Sequence, residues 1–549
     1  MAGFPSPQVT SPAPAGRPAR DRTRPAWRAT LALARVEGLR LPRHPLVLVA
    51  AALLVWPWAA GLRHRDDTYP VLHHADIGTQ QALLLLAAAV LIAANLAVLR
   101  AHRHGAEPLY GTLALPAWRR TLAHLLSLLP VTLLGAALAS AHLAQLATVP
   151  GAVGRPNPVE LATGPVLVAL AGALGILLAR LARSALVALL ALLVLVSLLY
   201  FALWSPTLGD GGLDQRLWLG PLVPNTWSGP DDVPADLLGR PAGWHLAYLA
   251  GVVLLVAAAA LVRAGGPRRP LAGVGAAALA LVAVAGPLQL RPPPPELAAR
   301  RVAAMERPST VQVCQRRGPV TYCLFGEFAP MVDGWDPAVQ AVLRPLPPGT
   351  APRLVVRQQI NPLDPALAGR LGQIDTARLE DDRRAGTPDS IPVFTVTGIG
   401  GASELPLSVA YRAVGSPTVG GPEPAGAQDP ERVACGAPGV VALWLAGRSS
   451  EAAESDMRTV LGQAAADPTA DPDGFNLILS NGPQWITVGA YEAALALALL
   501  DHPDEQVERS LRRNWQELTS PATSSSRAAE LLGVDPPGAA VAHAEPKDC

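Results

Sequence analysis

Gln81-Ala-Leu-Leu-Leu-Leu-Ala-Ala-Ala-Val-Leu-Ile-Ala-Ala-Asn-Leu-Ala-Val-Leu99 decides the fold class, because Asn95 is its only polar interior side chain and Arg100 closes it. A bilayer hydrocarbon core about 30 Å thick is crossed by roughly 20 apolar helical residues, and this run meets that length. Six more apolar runs accompany it: Leu46–Leu62, Leu122–Ala144, Pro165–Leu178, Ala185–Trp204, Leu246–Val262 and Leu271–Leu290. The fourth in chain order, Pro165–Leu178, is short and stops at Arg180 and Arg183. After the seventh the chain turns polar, so the hydrophobic fraction of 50% averages a very apolar half with an ordinary one. The expected fold class is a mainly α polytopic membrane bundle of about seven transmembrane helices, followed by a mixed α+β extracytoplasmic domain.

Arginine placement predicts which side each loop faces, since cytoplasmic loops keep an excess of basic residues beside the spans. Arg28, Arg35, Arg40 and Arg43 precede the first span. Arg100, Arg103, Arg119 and Arg120 follow the second, Arg180 and Arg183 the fourth, and Arg263, Arg268 and Arg269 the sixth. The intervening loops are basic-poor or offset by acids, as with Asp66, Asp67 and Asp76, or Asp210, Asp214, Asp231, Asp232 and Asp236. The alternation places the N-terminus in the cytoplasm and residues 291–549 outside a cell membrane. Residues 1–26, rich in Pro, Ser and Arg, read as a disordered cytoplasmic segment. The first apolar run starts late for a cleavable leader, so it is expected to stay as a signal anchor.

Residues 27–45 read as a basic amphipathic helix lying in the membrane plane, with Trp27, Leu31, Ala34 and Leu41 toward lipid and Arg28, Arg35 and Arg43 toward water or anionic headgroups. The plainer reading is a solvated start to the first span, and Pro42 and Pro45 would break either helix from it. Loop 100–121 combines a charged start, a short apolar stretch and Trp118-Arg-Arg at the next span. A short helix there could press apolar side chains into a partner's groove, or the loop could simply anchor two spans. Asn95, His124, Ser127, Thr132, His142 and Gln145 are polar where polarity is expensive, which points them toward the bundle interior. Gly135, Gly172, Gly175, Gly251 and Gly273 would permit close helix contact. The apolar stretch Leu217–Pro224 is too short to cross.

In the tail, Pro292–Pro295 read as a stiff extended spacer. Arg353–Gln359, Val393–Thr397, Leu407–Arg412 and Val440–Leu445 read as strands. Pro337–Leu343, Ser450–Ala465, Gln484–Leu500 and Glu505–Leu518 read as helices, and 414–430 as a loop. Cys314 and Cys323 flank a turn at Gly318-Pro319, so a hairpin would let them form a disulfide, as an oxidising compartment permits. Free thiols or a metal pair remain alternatives, and the pairing of Cys435 and Cys549 stays open.

Catalytic chemistry is hard to find. The single lysine is Lys547, so no Gly-Lys-Ser/Thr phosphate loop can be built, and no His-Glu-x-x-His or Gly-x-Ser-x-Gly occurs. His502 sits beside Asp501 at an expected helix end, and Glu380-Asp381-Asp382 reads as a solvated face. No cofactor, catalytic residue or metal site is expected, and a net charge of +1 names no nucleic-acid partner.

A basic interfacial helix, a span, an outside loop, a span and then a charged cytoplasmic loop together resemble the permease subunit of type-2 ATP-binding-cassette transporters, across residues 25–265. The seventh span and the large outside domain look like an actinobacterial variant. The resemblance implies a permease, as an exporter, that dimerises or pairs with another permease in membrane lipid and is driven by a separate ABC ATPase subunit. It also makes Glu107, Leu109, Tyr110, Leu113 and Trp118 the candidate coupling contacts. The alternative is a non-transporting membrane scaffold or sensor whose outside domain binds a ligand.

Overall fold

The computed structural model describes residues 23–61, 70–105, 115–204, 219–220, 233–360, 370–388, 390–393, 403–415, 432–434, 436–466, 475–478, 485–535 and 537. The bundle is built from α1 (Thr23–Arg40), α2 (Pro45–Gly61), α3 (Leu72–Arg103), α4 (Ala117–Leu126), α5 (Leu129–Leu146), α6 (Pro158–Leu181), α7 (Ala185–Trp204), the short α8 (Ala235–Leu238), α9 (Ala242–Arg263) and α10 (Arg268–Gln289). Each expected apolar run is helical over most of its described length, Leu122–Ala144 as two helices. Five segments are long and apolar enough to cross a membrane: Leu72–Arg103, Ala117–Leu146, Pro158–Leu181, Ala242–Arg263 and Arg268–Gln289. The pair α1 and α2, bent by 50°, is a sixth candidate, while α7 counts only as a shorter apolar helix over Ala185–Leu198. Leu129, Leu193, Leu198 and Leu279 lie exposed along these helices. Apolar surface on this scale fits lipid better than water, as membrane-spanning helices would present it.

Local chemistry explains the boundaries. Asn157 caps α6 by accepting a hydrogen bond from the Val159 amide at 3.0 Å, and Pro158 fills the first helical position, so the fourth span starts before the expected Pro165. The third span is interrupted between Leu126 and Leu129, just before Pro130, whose ring cannot continue the preceding helix.

Helix α3 is the hub, with Leu83, Leu86, Val90 and Leu91 buried against its neighbours. Its parallel partner α6 comes so close that a Cβ on Gly175 would sit 2.2 Å from the Leu91 carbonyl oxygen. Only glycine fits there. Asn95 Nδ2 then reaches the Gly175 carbonyl at 3.1 Å.

The tail starts with α11 (Pro295–Glu306), which takes the place of the expected proline spacer beyond Pro294. Proline is well tolerated in a first helical turn. A four-stranded sheet follows in the order β1 (Gln312–Arg317), β2 (Val320–Phe325), β3 (Leu354–Gln358), β4 (Ile391–Val393). β1 pairs antiparallel with β2, and the β2–β3 and β3–β4 pairs are parallel, crossed over by α12 (Val332–Leu343) and α13 (Leu371–Arg384). A three-stranded sheet orders β5 (Arg432–Ala434), β7 (Trp485–Val488), β6 (Phe475–Ile478). Around it run α14 (Glu404–Ala413), α15 (Gly436–Gly447), α16 (Glu451–Ala466), α17 (Ala490–Asp501), α18 (Asp504–Leu518) and α19 (Ser525–Leu532).

Several expectations change. Leu407–Arg412 and Val440–Leu445 are helical, within α14 and α15, not strands. Short apolar runs do not distinguish a strand from a buried helix, and α15 is buried along its whole length. Gln484–Leu500 splits into β7 and α17 at Gly489. Of Val393–Thr397, only Val393 lies among the described residues, at the end of β4. Asp381 and Asp382 are buried, not solvated. Asp382 pairs with the buried Arg357 at 2.6 Å, and Asp381 accepts from the Ser309 amide and hydroxyl at 2.9 and 2.8 Å. Glu380 alone keeps the expected exposure.

Candidate functional site

Polar side chains gather at two ends of the bundle. At the arginine-rich end, α1 lies against α4 with Thr30, Ala34, Glu37 and Leu41 buried. This corrects the lipid-facing assignment of Ala34 and Leu41, because helical spacing puts them on one stripe with Thr30 and Glu37. Trp27 and Leu31 remain exposed, as do Arg28, Arg35 and Arg43. Glu37 receives Arg100 at 2.9 Å and Arg40 at 3.4 Å. Gly38 lets the helix approach Pro130, which would lie 3.2 Å from a Cβ there. Beside the Glu37–Arg100 pair is a cavity of about 20 Å³, enough for one water, bordered by His44, His124, Ser127 and Ile176. Trp118 sits in the first turn of α4 with the Arg119 guanidinium 5.1 Å from its ring centre. Glu107, Leu109, Tyr110 and Leu113 lie outside the described residues. Glu37 escaped sequence reading; its signal was a lone acid in a run of arginines.

The opposite end joins bundle to tail. Asp76, fully buried on α3, pairs with Arg240 at 3.1 Å and accepts from the Asn157 amide at 3.3 Å. His73 donates from Nε2 to the Val233 carbonyl at 2.8 Å, and its Nδ1 lies 3.6 Å from Glu327 Oε1. Glu327 Oε2 accepts the Ala235 amide at 2.8 Å. Gly154, at φ +78°, passes so close that a Cβ would fall 2.4 Å from His73 Nδ1. One turn deeper, His142 Nδ1 meets the Thr79 hydroxyl at 2.9 Å while its ring stacks on Trp58 at 4.0 Å. His245 and Gln289 join α9 to α10 at 2.8 Å. The Leu217–Pro224 stretch is described only at Leu219 and Gly220, and the Leu219 carbonyl accepts the Tyr248 hydroxyl on the bundle.

Asn95 and His142 thus bond across helices as expected of buried polar groups in a bundle, whereas Ser127 bonds locally to the His124 carbonyl at 2.7 Å. Gln80 and Thr163, both buried between α3 and α6, have no hydrogen-bond partner among the described residues. In the tail, Cys314 and Cys323 face one another across β1 and β2 and are joined as a disulfide. Cys435 and Cys549 lie outside the described residues. Among the described residues, no three His, Cys, Asp or Glu side chains gather as a metal site. No protein-family model, curated protein or solved structure matches the chain.

Proposed function

We propose that the chain is the membrane-spanning permease subunit of an ATP-driven, ABC-type exporter, powered by a separate ATPase and acting as a homodimer or with a paired permease. Its N-terminus lies in the cytoplasm and its tail on the far face of the cell membrane. One observation carries the reading: the Glu37–Arg100 pair fastens α1 to the end of α3 from which the 104–116 connection departs. A push delivered to that connection through Leu109 or Tyr110, or to Trp118 at the start of α4, would reach both the interfacial helix and the α3–α6 pair. The arginines of this end support its cytoplasmic placement, and the disulfide supports an oxidising location for the tail.

Purification of the tagged chain from native membranes in mild detergent tests the proposal. A P-loop ATPase should co-purify, and Leu109→Asp with Tyr110→Asp should abolish its recovery. Absence of any ATPase from the wild-type preparation would refute it. A second reading, a ligand-binding sensor or scaffold, is favoured by a cavity of 320 Å³ at the base of the tail. It requires no ATPase partner, so the same experiment separates the two.

A further inference from the structure

The cavity of 320 Å³ lies where α8, α11 and the end of β2 converge, at the joint between bundle and tail. Its size falls in the range that takes a small organic molecule. Leu237, Ala303 and Phe325 line an apolar interior, and three charged residues, Asp236, Arg300 and Glu327, border it. Two of these cancel, because Arg300 is ion-paired to Asp236 at the solvent-exposed rim. The neighbouring Arg301 is turned to the Leu237 and Leu238 carbonyls, at 2.8 and 2.5 Å. What remains is the carboxylate of Glu327, largely withdrawn from solvent with 25% of its side chain exposed. The Ala235 amide fixes one of its oxygens, and the His73 imidazole stands 3.6 Å from the other, within ion-pair distance whenever that ring is protonated.

We infer that this cavity is a binding site for a small apolar molecule carrying one protonated amine. The amine donates to Glu327, and the apolar body lies on Phe325 and Leu237. A pre-oriented acid at the edge of an apolar pocket selects for a cation, since an anion would be repelled and a charged donor binds a carboxylate more strongly than a neutral one. The site stands whether or not the chain transports anything, because binding is read on the isolated protein.

The test uses the full chain in lipid nanodiscs and three probes with one body: 4-phenylbutylamine, 4-phenylbutanol and 4-phenylbutyrate, measured by titration calorimetry. The amine should bind at least about tenfold more tightly than the alcohol, the discrimination that one charge-assisted contact supplies, and the butyrate should not bind. Glu327→Gln should level amine and alcohol. Because Glu327 also contacts the joint, Ala303→Phe serves as a second variant, filling the pocket from α11 and removing both ligands while leaving the carboxylate in place. Equal binding of all three probes, no binding of the amine, or undiminished amine binding in Ala303→Phe would each overturn the assignment.

Discussion

Asp76 on α3 and Arg240 ahead of α9 form an ion pair of 3.1 Å with 0% and 5% of their side chains exposed, tying the hub helix to the segment that leads into α9. Removing one partner of a buried pair leaves an uncompensated charge, at a cost of about 3–5 kcal/mol. Asp76→Asn should therefore lower the melting temperature of the detergent-solubilised protein sharply. Asp76→Leu combined with Arg240→Met should recover most of that loss, since well-fitted apolar replacements of buried pairs are tolerated. A double variant as unstable as the single one would show that the pair does more than neutralise charge.

The Cys314–Cys323 bridge closes a short loop, with a sequence separation of 9. Loop-closure entropy for such a bridge corresponds to about 2–3 kcal/mol. Cys314→Ala with Cys323→Ala should lower the thermal stability of the tail while leaving the bundle's transition in place. Alkylation followed by mass spectrometry should find both sulfurs protected until a reductant is added.

Gly175 is where α3 and α6 touch backbone to backbone. Gly175→Ala should cost about 1–3 kcal/mol by overpacking against the Leu91 carbonyl. Gly273, where an added Cβ would meet nothing within 4 Å, provides the contrast. Gly273→Ala should leave the melting curve unchanged.

Two tail tyrosines set an alkaline limit. Burial, and then the Asp336 carboxylate that accepts its hydroxyl at 2.9 Å, pushes the Tyr322 phenol well above its ordinary value of 10.0. Burial, and then the charge of Glu492, raises Tyr411 in the same direction. Since the folded state holds these protons more tightly than the unfolded chain, their contribution is fully present below pH 10.0 and is lost as pH rises beyond it. Phenolate absorbance should consequently appear together with loss of circular dichroism, and Tyr411→Phe should move that transition to higher pH.

Sidedness has its own test. Alkaline phosphatase fused after Arg307 should be active, and green fluorescent protein fused after Gly105 should be fluorescent. The reverse pattern would invert the proposed orientation and remove the cytoplasmic role of loop 100–121.

The apolar helices were legible because the length and apolarity a bilayer would demand are displayed by Gln81–Leu99 without any tertiary information. The hairpin was legible because turn residues and two β-rich runs bracket the cysteines. Helices α14 and α15 were misread because their apolar runs carry no period that separates a strand from a helix buried on every side. Asp381 and Asp382 looked solvated because charge in a local window says nothing of a partner as distant as Arg357.

The sequence by itself pointed to the apolar helices and to the hairpin that brings Cys314 to Cys323, both of which depend on neighbours in the chain or on solvent preference. Only tertiary structure decided that Glu37 grips Arg100, that Asp76 meets Arg240, and that Glu327 and Phe325 enclose a cavity with α11. These are contacts between residues far apart in the chain. Helix packing sets them, and for Asp76 and Arg240 it brings the two charges together where water can no longer screen them.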